Sequence, residues 1–307
     1  MSGTKKTVLI VGLSLLGAGL ILLGVSLAAG FTGGGNRGDN RLVQKELTLN
    51  AGDSLYVSTA AEDVSITVSP DENAHFSYYE GEDVTYSLAQ ADGEVSLVRN
   101  EAPAKFFWFQ VGNWQDNITI ELPSDFSGDI KFFGSTGSLQ IEDFESLAEL
   151  KVSVSTGDVY LNNLSAQSLN VGGSTSGIYI DGFNCAGSAK ILSTTGWIYI
   201  EGMKIADTLA CANTTGGIYA DGVKAKSIGF NTTAGSMDFY NLSGDALEFN
   251  ATTGSITGEI NGSSADYSIK SVTTSGSSNL PGSWGAGGRS LQAKATAGSI
   301  DISFTED

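Results

Sequence analysis

The chain has 307 residues, enough for one large domain or two ordinary ones with a sizeable core. Forty glycines would suit a low-complexity chain, but 41% hydrophobic residues and only 4 prolines indicate a folded, turn-rich β protein. Net charge is −18, and residues 1–50 hold five basic groups against two acidic ones, which leaves 11 basic and 32 acidic residues in the body. That balance argues against nucleic acid as a partner, because such affinity rests on Lys and Arg at phosphates.

Residues 7–31, "TVLIVGLSLLGAGLILLGVSLAAGF", form an uncharged run of 25 residues. A helix needs about 20 apolar residues to cross the hydrocarbon, so this run predicts a transmembrane helix. Lys5 and Lys6 in the N-terminal stretch 1–6 favour a cytoplasmic N-terminus and an extracytoplasmic body, although Arg37, Arg41 and Lys45 pull the other way. A cleaved signal peptide is the alternative, since "SLAAG" offers small residues to a peptidase. The run exceeds the roughly 7–15 residues of a signal core, so an uncleaved anchor is expected, with the cell membrane as the first partner. Residues 32–42, containing "TGGGNRGDN", read as a flexible spacer.

Residues 43–133 alternate apolar and polar positions without a clean period, and read as an irregular β region capping the repeats beyond residue 133. Within it "STAAEDVSITV" (58–68) looks like a degenerate copy of the later repeat, and "KFFWFQVGNW" (105–114) is the most apolar patch. That patch is expected to be a buried hairpin or a cover over an exposed strand edge, a membrane- or partner-touching loop being the alternative. His75 is the only histidine, and its place in "DENAHFSYY" suggests a solvated side chain beside acidic neighbours.

From 134 to 307 a short phrase recurs: a Ser/Thr/Ala-Gly corner followed by two alternating apolar residues. Its first apolar position falls at Leu139, Val159, Ile178, Ile198, Ile218, Met237 and Ile256, at intervals of 19 or 20 residues. Looser copies occur in "TSGSSNL" (274–280) and "AGSIDI" (297–302). A further apolar column lies five residues on, from Phe144 to Leu242, and a second alternating run precedes each corner. Period-2 alternation in units too small to bury their own apolar face requires the units to stack. The fold class expected is therefore all-β: a parallel β-solenoid of about 19–20-residue rungs with an irregular β cap and one preceding transmembrane helix. Gly and Ser/Thr at one corner, and "DG", "EG" or "NN" at the other, supply the turn chemistry.

The ladder "STGSLQIEDF", "STGDVYLNNL", "TTGWIYIEGM", preceded by "ITIELPSDFSGDI" (118–130), resembles a bacterial β-strand-repeat family known as "putative adhesin", a domain of unknown function. The resemblance spans about residues 43–307. It implies a membrane-anchored or surface β-repeat protein, in some members tied to cell-envelope stress systems, and it brings no catalytic residues. "LPGSWG" (280–285) is not a sortase-type tail, so a wall-linked adhesin does not follow.

The residues offer little for catalysis. A Ser–His or Cys–His nucleophile system would have to use His75, and nothing around that residue suggests it, while Cys185 and Cys211 sit in no metal-ligand spacing and read as small core residues. No cofactor or metal is expected. Glu142, Asp181, Glu201 and Asp221 would stack at one turn, but splayed carboxylates need no cation, and no basic residue recurs beside them. The sharper pattern lies between the two apolar residues of each phrase, where Tyr160, Tyr179, Tyr199 and Tyr219 occupy four successive rungs, with Trp197 beside Tyr199. Such a column either simply stabilises the stack or forms an aromatic strip that binds a ligand. The expectation is a binding, adhesin-like or envelope-associated scaffold without catalysis, meeting an envelope protein or a glycan. The alternative is a carbohydrate-active β-helix enzyme of the polysaccharide lyase or hydrolase type.

Overall fold

In a computed structural model, residues 41–81, 84–101 and 117–306 are described. The segment 7–31 expected to cross a membrane and the apolar patch 105–114 lie outside these residues. Among the described residues no helix is long and apolar enough to cross a membrane. The described residues are all-β apart from one short 3-10 turn at Ser264–Asp266, and their strands join in one sheet that coils into a parallel β-solenoid.

A representative rung has three sides. The long side is a strand such as Thr208–Thr215; a glycine corner leads to a short strand, Ile218–Asp221; a second corner leads to a brief third side at Val223–Ala225. Each side pairs in parallel with the same side of the next rung, so that Leu209 meets Ile228 and Ile218 meets Met237. The alternation read from the sequence becomes burial: Leu139, Val159, Ile178, Ile198, Ile218, Met237 and Ile256 are all fully buried, as are Phe183, Met203 and Val223 on the third side. At about 25 cal/mol per Å² of apolar area, stacking these columns is what holds rungs that could not fold singly.

The two corners solve their geometry differently. At the second, Asp143, Asn163, Gly182, Gly202, Gly222 and Asn241 share the left-handed conformation, with φ between 50° and 68°. Asn and Asp tolerate that conformation, which explains why "NN" and "DG" alternate there. At the first corner the glycines stack backbone on backbone. A Cβ on Gly216 would sit 2.1 Å from the carbonyl oxygen of Gly196, and one on Gly157 would sit 2.0 Å from that of Gly137. Buried Ser193, Asn213 and Thr232, just before this spine, donate hydrogen bonds to the carbonyls of Ser176, Gly196 and Gly235.

The ends depart from the order of the sequence. Ser54–Thr59 and Asp63–Val68 form a true rung, paired in parallel with Ile130–Thr136 and Leu139–Glu142 on one side. On the other side it pairs with Glu94–Glu101 and Asn117–Leu122. The chain therefore lays an inner rung first, runs outward to build the terminal one, and returns to continue on the inner face. This corrects the reading of 43–133 as an irregular cap with a boundary at 133, since Ile130–Thr136 crosses that boundary as a rung strand. The period was hidden because residues 69–81 and 84–93 leave the stack and because Glu62, rather than glycine, holds the corner. What covers the outer edge is antiparallel: Ala74–Glu80 and Arg41–Leu47 on one side, Val84–Ala91 on the other. Arg41 and Leu42 thus belong to a strand rather than to the spacer expected over 32–42.

The C-terminal end mirrors this. Arg289–Ala297 and Ile300–Phe304 insert between the rung of Ala246–Thr253 and Ile256–Ile260 and the strand Tyr267–Ser275, which precedes them in sequence. The two looser copies of the repeat are both rung elements, in swapped spatial order. Ser283–Trp284 lies antiparallel on the outermost strand, while Asn279 takes both backbone groups of Ile302 through its side-chain amide, at 2.9 and 3.0 Å. One side chain there occupies the place of a missing strand.

His75, in the N-terminal cap, is paired rather than merely solvated: its Nε2 lies 2.9 Å from Asp71 Oδ1. The hydrogen bond to Asp71, then the charges of Asp71, Glu46 and Glu121, raise its pKa above the ordinary 6.5. The Asn73 backbone N–H, then His75, hold Asp71 below its ordinary 3.8. A raised imidazole contributes fully below the unfolded value and loses its contribution as pH rises through the folded one. A depressed carboxylate contributes above its unfolded value and loses that as pH falls through the folded one, so the pair supports the cap best in mildly acidic solution. The imidazole resonances of this sole histidine should titrate with a midpoint above 6.5, falling back towards it in Asp71→Asn. An unchanged midpoint in that variant would show that the pair does not form.

Candidate functional site: an aromatic ladder on an acidic face

The side that comes after the glycine corner carries the aromatic column. Its backbone pairing places Tyr160, Tyr179, Tyr199 and Tyr219 in register on successive rungs, pointing away from the buried Ile and Val positions. All five residues of the predicted strip come together. Tyr160 and Tyr179 stack with ring centroids 4.9 Å apart and 8° between planes, and Tyr179 and Tyr199 at 5.3 Å and 5°. Trp197 lies against Tyr199 at 5.7 Å and 27°. Beyond that the rings tilt: Tyr199 to Tyr219 is 5.8 Å at 43°, and Tyr219 to Tyr240 is 6.1 Å at 49°.

Tyr240 was missed by the sequence reading. In the repeat alignment its rung presents Asp238 at the Tyr position, and Tyr240 pairs instead with Asp221 of the acidic column. The alternation of "MDFYNL", with Asp238 and Tyr240 both outward, was the signal available.

The closed end of the ladder is structural in character. The Tyr160 hydroxyl lies 3.4 Å from Asp158 Oδ2, and the other oxygen of Asp158 accepts the Gly177 backbone N–H at 2.8 Å. Burial first, and then Asp158, push the phenols of Tyr160 and Tyr179 above their ordinary 10.0. Each parallel ring pair contributes roughly 0.5–1.5 kcal/mol beyond the area it buries. The open end differs, since Trp197 and Tyr240 are 42% and 44% exposed. Glycines flank Trp197 in its own column, and a Cβ on Gly217 would lie 2.1 Å from the indole, so the ring rests on the bare backbone of the next rung.

Charge is unevenly divided among the sides. The outward positions of the ladder side hold Asp63, Glu121, Glu142, Asp158, Asp181, Glu201, Asp221, Asp238, Glu259 and Asp301, and none holds Lys or Arg. The stacked column expected from the sequence is interrupted by Asn162, which pairs with both Glu142 and Asp181. Gln140 donates to Glu142 at 2.9 Å, and Asn241 donates to Asp221 at 2.8 Å. Among the described residues no group of three or more His, Cys, Asp or Glu side chains is placed to hold a metal ion.

The third side contains a shallow groove of about 580 Å³ that the sequence did not announce, lined in part by Leu147, Ala166, Cys185, Ile205, Lys204 and Lys224. Cys185 and Cys211 are buried free thiols, as their reading as core residues implied. Burial raises the thiol pKa of both, most of all for Cys211, so neither presents a thiolate at neutral pH.

Fold and site together define a capped parallel β-solenoid that displays one aromatic, acidic face. The chain belongs to the Toastrack DUF4097 family, whose model matches residues 52–306. Among solved structures, a "putative adhesin" from Parabacteroides distasonis is similar at 12% identity and a TM-score of 0.53, covering 86% of this chain and 98% of that one. Another, from Parabacteroides merdae, is 13% identical with a TM-score of 0.48 over 88% of this chain and 98% of that one. A third, from Bacteroides fragilis, is 16% identical with a TM-score of 0.46 over 87% of this chain and 100% of that one. At such identities the likeness concerns fold. No curated protein matches the chain.

Proposed function

We propose that the protein is a membrane-anchored, extracytoplasmic β-solenoid that works by binding, as an adhesin-like or envelope-associated scaffold, and not by catalysis. The observation that carries this reading is the aromatic ladder itself. Its polar and aromatic groups lie along an open, repetitive face, where a macromolecular partner can make many similar contacts, rather than converging on one point in a cleft. The name "putative adhesin" carried by the similar solved structures is consistent with it. The uncharged run at 7–31 supplies the proposed anchor.

Two measurements on cells producing the full chain test the proposal. A membrane-impermeant amine label should reach lysines of the solenoid such as Lys190 and Lys294 in intact cells, with the protein sedimenting in the membrane fraction. Labelling only after lysis would overturn the extracytoplasmic placement, and recovery in the soluble fraction would overturn the anchor. A polysaccharide hydrolase and lyase screen should show no turnover, whereas turnover abolished by a single carboxylate change would establish the enzyme instead.

A further inference from the structure

We propose that the open end of the ladder, Trp197, Tyr199, Tyr219 and Tyr240 with Glu201 and Asp221, is a docking strip for an extended polypeptide bearing Lys or Arg at alternate positions. The inference rests on the reading of the protein as a binding scaffold and names the chemistry of its partner.

Three observations converge on a cationic occupant. First, the ladder divides into two parts. From Tyr160 to Tyr199 the rings lie within 8° of parallel and cover one another, but from Tyr199 onward tilts of 43° and 49° break that face-to-face stacking. The two exposed rings of the ladder, Trp197 and Tyr240, both belong to the second part. Second, that surface lies among carboxylates, Glu201 and Asp221 being the outward residues two positions beyond Tyr199 and Tyr219 on the same strands. A neutral ligand would have to strip water from those carboxylates without replacing it, whereas an ammonium or guanidinium group satisfies ring and carboxylate together. Third, among the described residues cations are placed at other rings but not at these. Lys151 lies 5.9 Å from the Phe133 ring and Arg289 lies 5.8 Å from that of Tyr267. Among the described residues no outward rung position of the ladder side holds Lys or Arg, which leaves these rings open to a cation from a partner.

The spacing suits an extended chain. Alternate side chains of a strand are about 6.6–6.8 Å apart, and the centroids from Tyr199 to Tyr219 and from Tyr219 to Tyr240 are separated by 5.8 and 6.1 Å. Because rungs are about 4.8 Å apart, a peptide laid at about 45° to the solenoid axis brings every second residue to a successive rung. Its charged side chains, all on one face of the extended chain, each then meet a ring and the carboxylate beside it, and the overall charge of −18 favours its approach.

The test uses the full chain purified in detergent and a fluorescent ten-residue peptide of alternating Lys and Ser, monitored by anisotropy at physiological salt. Binding should weaken at least tenfold in the double variant Trp197→Ser/Tyr240→Ser, and comparably in Glu201→Gln/Asp221→Asn, with thermal midpoints near that of the parent. Tyr179→Ser should instead lower the midpoint and, below it, bind the peptide as the parent does. Neutralising two carboxylates of the long side, Glu149→Gln/Glu248→Gln, should leave binding unchanged. Equal weakening by that control would reduce the effect to bulk charge and overturn the strip. Binding of an alternating Glu–Ser peptide, or of a neutral oligosaccharide in place of the Lys–Ser peptide, would overturn its cationic specificity. None of these outcomes bears on where the protein resides, so this inference can fail while the surface labelling succeeds.

Discussion

Replacing Gly216 with alanine lowers the thermal midpoint by roughly 8–16 °C, which corresponds to about 4 kcal/mol. Two costs add. Gly216 has φ of 129°, a region that L-residues enter only under strain of about 1–3 kcal/mol. The new Cβ would also sit 2.1 Å from the Gly196 oxygen and 2.8 Å from its carbon, both backbone atoms locked into the stack. Relief requires the two rungs to separate at the corner, where Gly216 N–H donates to the Ala234 carbonyl and Gly196 N–H to that of Thr215. Gly202 provides the contrast. Its φ is 61° and the nearest atoms to an added Cβ are 3.7 Å away. Asn163 and Asn241 already occupy that column in the same conformation. Gly202→Asn should therefore cost under about 1 kcal/mol. Thermal unfolding of the two variants side by side decides the matter, and equal losses would mean that backbone stacking at the first corner is not what sets the spine.

The second large effect lies where this spine meets the N-terminal end. Glu62, its side chain 2% exposed, bonds to Arg99 Nη1 at 2.8 Å and accepts the backbone N–H groups of Ala60 and Ala61 at 2.8 and 2.9 Å. It holds the corner that glycine holds in most other rungs, and through Arg99 it ties that rung to the strand Glu94–Glu101 stacked outside it. Arg99→Met strands a buried carboxylate and should cost about 3–5 kcal/mol. The double variant Glu62→Gln/Arg99→Met removes the charge as well, and a well-packed neutral pair is often as stable as the buried ion pair it replaces. It should recover most of that loss in a denaturant titration. Additive losses in the double-mutant cycle would show that the two side chains act independently.

The repeating body was legible because its determinants are local. Burial at every second residue, a turn at fixed spacing and a recurrent Tyr are written within each 19- or 20-residue unit, so Ile198, Tyr199 and Ile200 could be assigned to faces from the phrase alone. The ends were not legible because their determinants are pairings between distant residues. Nothing near Leu55 states that it pairs with both Val95 and Ile130, nor does anything near Ile300 place it beside Ile256 while Tyr267–Ser275 lies further out. The site was legible as a column but not as a gradient. The change from parallel to tilted rings arises from what neighbouring rungs place beside each ring, such as Trp197 over Gly217 and Tyr240 in the line of Asp221. Alignment by period assigns Tyr240 to the column of Asp221, where its backbone does pair, but period alone does not show that its ring reaches Tyr219.

The exchanged order of rungs at both ends also governs how such a protein can change in size. Ile300–Phe304 lies beside Ile256–Ile260 with Ser277–Asn279 on its other side, so this strand is enclosed within the stack rather than placed at its open end. At the opposite end the first rung laid down is likewise sandwiched, between Glu94–Glu101 and Ile130–Thr136. Growth or shrinkage by whole rungs is confined to the uninterrupted middle, where duplication or deletion of one 19- or 20-residue unit leaves both closures intact. That middle is also where the aromatic ladder runs, so any lineage that altered the number of rungs would at the same stroke have altered the length of the face offered to a partner.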